Sequence, residues 1–106
     1  MTTFDEREQA FEAKFAHDAE MQFKVEARAR NLLALWAANQ MGKTGEAAVD
    51  YAKGLIGEWI KPNPSDAVER VMADLSAAGI AVTAQEAVRK FGELRAQAKA
   101  QVMAEN

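Results

Sequence analysis

From Thr3 onward apolar residues recur at helical spacing until Gly42, with no proline or glycine between them. At about 100° per residue, Phe4, Phe11, Phe15, Ala29, Leu33 and Trp36 share one face. The pattern predicts a single helix of almost forty residues. Thr3 and Glu6 form a capping box at its start, and Gly42 suits the left-handed position just past its end. Glu20–Lys24 and Glu26–Arg30 are spaced for favourable i,i+4 pairing.

Three shorter helices follow. Thr44 can cap the second, whose stripe is Ala48, Tyr51, Ala52, Leu55, Ile56 and Trp59. It must stop at Lys61, because Pro62 disfavours helical backbone at the residue before it. Asn63 as cap and Pro64 at the first helical position predict the start of the third. Its stripe is Val68, Val71, Met72 and Leu75, and Gly79 ends it. Thr83 and Glu86 form another capping box, Val82 is placed to act as a staple residue, and Val88, Phe91, Leu94, Ala98 and Val102 carry the fourth. Four helices joined by short loops predict an all-α four-helix bundle.

The predicted lengths do not match. A helix of nearly forty residues would be almost 60 Å long at about 1.5 Å per residue, far longer than its neighbours, so part of it must overhang. The denser apolar content lies in residues 22–41, where Phe23, Val25, Leu32, Leu33, Leu35 and Trp36 suit a packed element. The stretch before it has phenylalanines separated by charges, with a repulsive Glu8–Glu12 pair. Anchors at i, i+7 and i+11 are the form of an amphipathic helix that lays its apolar face into a groove. The expectation is a protruding N-terminal amphipathic arm, residues 1–18, on a bundle domain, residues 19–106.

Charge sharpens this division. Residues 1–20 hold six acids against two bases, a net charge of −4 within a chain of net −3. No basic patch is present to neutralise phosphates, so no nucleic-acid partner is expected. The chain's 106 residues suit one domain and contain no cysteine, which removes disulfides and thiolate chemistry. The acidic start is unlike a secretion signal, and the longest apolar run, Leu32 to Ala38, is too short to span a bilayer. A soluble, cytoplasmic protein without membrane insertion is expected.

Candidate chemistry is sparse. "MGKTG" at 41–45 lacks the glycine five residues before its Gly-Lys-Thr that a P-loop needs; Ala37 stands there. A helix end followed by a helix start accounts for the same residues. Lys43 beside the second helix's start leaves weak ADP or ATP binding open. His17 is the only histidine, so neither a closed metal site nor a catalytic set is available. Trp36 and Trp59 are expected to anchor the core. No catalytic residue, metal site or required cofactor is expected, and the chain does not read as an enzyme.

The stretch "FDEREQAFEAKFAHDAEMQFKVEARARNLLALWAA", residues 4–38, resembles the opening of the ATPase inhibitor subunit zeta family of alphaproteobacterial ATP synthases. Phe-Asp-x-Arg-Glu at 4–8, Ala-Phe-Glu-x-Lys-Phe at 10–15 and Leu-Trp-Ala-Ala at 35–38 carry the resemblance, with "ADLSAAGIAV" at 73–82 in partial agreement. The chain departs from the family pattern at Leu32, where a basic residue is expected, and at Ala34, where a glycine is expected.

The resemblance implies an inhibitor of ATP hydrolysis by the catalytic head of the rotary ATP synthase. Phe4, Asp5, Arg7, Glu8, Phe11, Lys14 and Phe15 would form the inhibitory element, entering between stator and central rotor subunits to block rotation. The protein would be a monomer when free, associated peripherally with the inner membrane through the ATP synthase. The alternative is a small nucleotide-binding bundle acting as a regulatory sensor.

Overall fold

The computed structural model describes residues 3–62 and 66–105, with side chains described from Asp18 onward. It is an all-α four-helix bundle, built from α1 (Thr3–Gln40), α2 (Gly45–Trp59), α3 (Ala67–Ala77) and α4 (Ala84–Glu105). The helices number 38, 15, 11 and 22 residues, so α1 outruns every neighbour. At about 1.5 Å per residue it is about 57 Å long, and it sets the 65 Å long dimension of the molecule. α1 is the spine: it packs most extensively on α4 and α2, and less on α3, which also packs on α4.

Two helix ends close by one device. Gly42 and Gly79 have φ of +77° and +80°, a conformation a Cβ would disfavour. Lys43 N donates to Ala38 O and Gly42 N to Asn39 O at the end of α1; Ile80 N to Leu75 O and Gly79 N to Ser76 O repeat the pattern after α3. These are Schellman closures, which give the last carbonyls of a helix their partners. The first turns the chain so that α2 folds back along α1.

Leu33, Val71 and Leu75 are fully buried, and Leu55, Trp59, Ala67 and Leu94 join them in one cluster. Alanine supplies much of the rest: Ala29, Ala34, Ala37 and Ala38 on α1, Ala87 and Ala98 on α4, all wholly buried. Small side chains let helix axes approach closely while keeping high helix propensity. Trp59 is a core anchor as expected, whereas Trp36 is half-buried against the cluster's edge, as is Val82.

Several expectations need correction. The cap of α3 is Asp66, not Asn63; its Oδ1 accepts from Val68 N at 3.0 Å and Glu69 N at 3.1 Å. A carboxylate there satisfies two open amides and complements the positive end of the helix. Asn63 and Pro64 lie outside the described residues. Thr44 does stand at the N-cap of α2, but its side chain makes no capping hydrogen bond. Thr83 Oγ1 accepts from Glu86 N at 3.1 Å, as the capping box requires. The side chains of Thr3 and Glu6, expected to form the first box, lie outside the described residues.

On α4, Val88 is exposed and its neighbour Ala87 is fully buried. At about 100° per residue Val88 lies roughly 80° from the centre of the Leu94–Ala98–Val102 stripe, and Ala87 lies within it. Phe23 is 73% exposed although it falls in the apolar half of α1. It lies two turns before Arg30, the residue that meets Trp59 in the last turn of α2, so α2 ends before it can cover Phe23. Glu26 pairs with Arg95 rather than with Arg30, because Arg30 turns to the Trp59 ring.

Candidate functional site

The residues expected to act, Phe4, Asp5, Arg7, Glu8, Phe11, Lys14 and Phe15, belong to the first turns of α1. Their side chains lie outside the described residues, as does that of His17. The backbone there runs without a break into the packed part of α1. The described site is therefore the root of this segment, residues 18–30, and what surrounds it.

One flank of the root faces α4. Arg28 reaches Glu105 through two parallel hydrogen bonds, Nη1 to Oε1 at 2.7 Å and Nη2 to Oε2 at 2.8 Å, and Nη1 also donates to Gln101 at 3.2 Å. Arg95 Nε donates to Glu26 Oε1 at 2.8 Å while its guanidinium lies over the Phe91 ring. The bond to Glu105 raises the Arg28 pKa, and the same bond lowers that of Glu105. Both pairs hold α4 to α1. Beside them an open groove of about 850 Å³ runs between the helices, walled by Asp18, Val25, Lys99 and Met103.

The other flank faces the end of α2. A groove of about 420 Å³ lies there, walled by Ala19, Phe23 and Ala27 on one side and by Ile56 and Ile60 on the other. Ile60 is 79% exposed, so both Phe23 and Ile60 present apolar surface to solvent. At its base Arg30 lies 6.0 Å from the centroid of the Trp59 ring, within reach of a cation–π attraction. Arg30 Nε and Trp59 Nε1 are buried, and neither has a hydrogen-bond partner among the described residues. A buried donor left unpaired costs about 1–3 kcal/mol, so this corner is less settled than the core around Leu33. The sequence reading missed it. Phe23 is in the sequence as a large apolar residue, but its exposure depends on where α2 stops.

α2 and α3 are joined by a half-buried polar network. Tyr51 OH donates to Asp74 Oδ2 at 2.7 Å, Arg70 Nε donates to the same oxygen at 3.2 Å, and Arg70 Nη1 donates to Glu58. Burial, then the Asp74 bond, pushes the Tyr51 pKa above its ordinary value, so the hydroxyl stays protonated. Bonds to Asp74 and then Glu58 raise that of Arg70. Every group here is committed to another, as in a structural tie.

In the loop at 41–45 the Gly42 and Lys43 amides are used by the α1 closure, and the Lys43 side chain is exposed. Among the described residues no cluster of three or more His, Asp or Glu could hold a metal, and no helix is long and apolar enough to cross a membrane.

No curated protein matches the chain. A family model does: that of the ATPase inhibitor subunit zeta matches residues 1–101, which takes in all of α1, α2 and α3 and most of α4. The family's description is of an inhibitor subunit, regulatory in kind, of an ATPase. With nearly the whole chain matched, the protein belongs to the ATPase inhibitor subunit zeta family.

Proposed function

We propose that this protein inhibits ATP hydrolysis by the catalytic head of the rotary ATP synthase. In this reading residues 1–18 act as the inhibitory arm and residues 19–106 as the bundle that carries it. The observation that supports it best is the length of α1: 38 residues against at most 22 in any helix beside it. A segment that continues a packed helix need not nucleate alone, so it can enter a cleft at low ordering cost.

Inhibition would be mechanical. Phe4, Phe11 and Phe15 would supply apolar anchoring between stator and rotor subunits, and Asp5, Arg7, Glu8 and Lys14 would select the docking surface and register. No bond is made or broken by the inhibitor, in keeping with a regulatory family and with no enzymatic role. Weak ADP or ATP binding near Lys43 is the competing use of the fold, less favoured because Ala37 stands where a phosphate-binding loop would need its first glycine.

The test is ATP hydrolysis by the catalytic head with the full chain or a variant lacking residues 1–17. Inhibition by the full chain alone supports the reading. Equal inhibition by both moves the site onto the bundle. If neither folded protein inhibits, the reading fails, and amide shifts at 42–46 on adding ADP would favour the sensor.

A further inference from the structure

We infer that the groove between the root of α1 and the end of α2 is a second docking contact, receiving a segment that presents an aliphatic side chain beside a carboxylate. The inference rests on the inhibitor reading: the segment belongs to the same catalytic head, at the mouth of the cleft that the first turns of α1 enter.

Three observations carry it. Phe23 on α1 and Ile60, the residue that caps the end of α2, are 73% and 79% exposed and stand on opposite walls of one groove. An aliphatic side chain placed between them would cover both. At the base, Trp59 is only 5% exposed, yet its Nε1 lacks an acceptor among the described residues, as does Arg30 Nε. A carboxylate approaching a guanidinium side-on takes Nε and one terminal nitrogen together, so a modest turn of Arg30 toward the groove gives Nε its acceptor.

The charge balance points the same way. Glu26, the acid that lines this groove, is engaged by Arg95 at 2.8 Å. Arg30, which meets the face of the Trp59 ring and has no carboxylate partner among the described residues, then supplies the groove's remaining charge, and that charge is positive. Position favours the same target over any other. Phe23 follows Phe15 by eight residues on one unbroken helix, a rise of about 12 Å. A cleft that swallows the first turns of α1 brings its rim against this groove.

The experiment compares the full chain with Phe23→Ser, Ile60→Ser, their double variant and Arg30→Gln, measuring half-inhibition of hydrolysis by the catalytic head. Both apolar residues are exposed, so the Ser variants should melt with the wild type, which circular dichroism checks. The double variant should need about tenfold more protein or greater for half-inhibition, since burying a large apolar side chain is worth at least that factor. Inhibition at saturation should be unchanged, because the arm is intact. Arg30→Gln should weaken binding and reduce its salt dependence.

Equal half-inhibition by wild type and variants overturns the groove contact and leaves the inhibitor reading standing. Failure of the wild type to inhibit overturns both. A wild type that sediments as a dimer and becomes monomeric in the double variant, with half-inhibition unchanged, assigns the groove to a second copy and overturns the inference.

Discussion

Arg28 holds Glu105 by two parallel hydrogen bonds of 2.7 and 2.8 Å, pinning the last turn of α4 to α1 seventy-seven residues away in sequence. The pair lies at the root of the N-terminal segment, to which Arg28 belongs. Arg28→Ala should leave the melting temperature nearly unchanged, since the pair is solvent-exposed and screened, but should free the end of α4. Amide hydrogen exchange over residues 99–105 should quicken while the Leu33 region stays protected. The Glu105 pKa is lowered, so its contribution is present above the ordinary carboxylate range and is lost as pH falls through the folded value.

Tyr51→Phe removes one tie between α2 and α3 and should cost about 0.5–1.5 kcal/mol near pH 7 in urea denaturation. The Tyr51 pKa is raised, so the stabilisation is fully present below the unfolded value of about 10 and is lost as pH rises toward the folded one. The gap between wild type and variant should therefore be constant around neutrality and shrink above about pH 10.

Leu33→Ala opens a cavity at a fully buried position on the spine. The expected loss is about 2–5 kcal/mol, a large part of the roughly 5–15 kcal/mol typical of such a domain. Denaturant midpoints with an unchanged slope would confirm it. A loss below that range would mean the helices close over the gap.

Ala98→Leu tests the opposite fault. Ala98 is wholly buried, and added methylenes in a filled core cost about 1–3 kcal/mol. The variant should stay helical by circular dichroism but melt earlier. Asp66→Ala, by removing the cap of α3, should cost about 1 kcal/mol and speed exchange at the Val68 and Glu69 amides.

Much of the fold was legible in the chain because it depends on local chemistry. The 3.6-residue period, the glycines at 42 and 79 and Thr83 mark helix faces and ends through interactions a few residues long. Helices α1 to α4 end or begin close to those marks. Asp66 could have been read as the cap of α3, but Asn63 followed by Pro64 competes for the same role in sequence. Which one closes the helix depends on where α3 must sit to bury Ala67, Val71 and Leu75.

The family was legible too, since residues 4–38 carry its motifs and the match spans residues 1–101. The groove at the root of α1 was not. Phe23 and Val25 look equally fit for a core, yet Phe23 is bare because α2 stops at Trp59. Glu26 sits at ideal spacing for Arg30 but bonds Arg95, a partner sixty-nine residues on. Helical period assigns a residue to a face; only the lengths and placement of the neighbouring helices decide whether that face is covered.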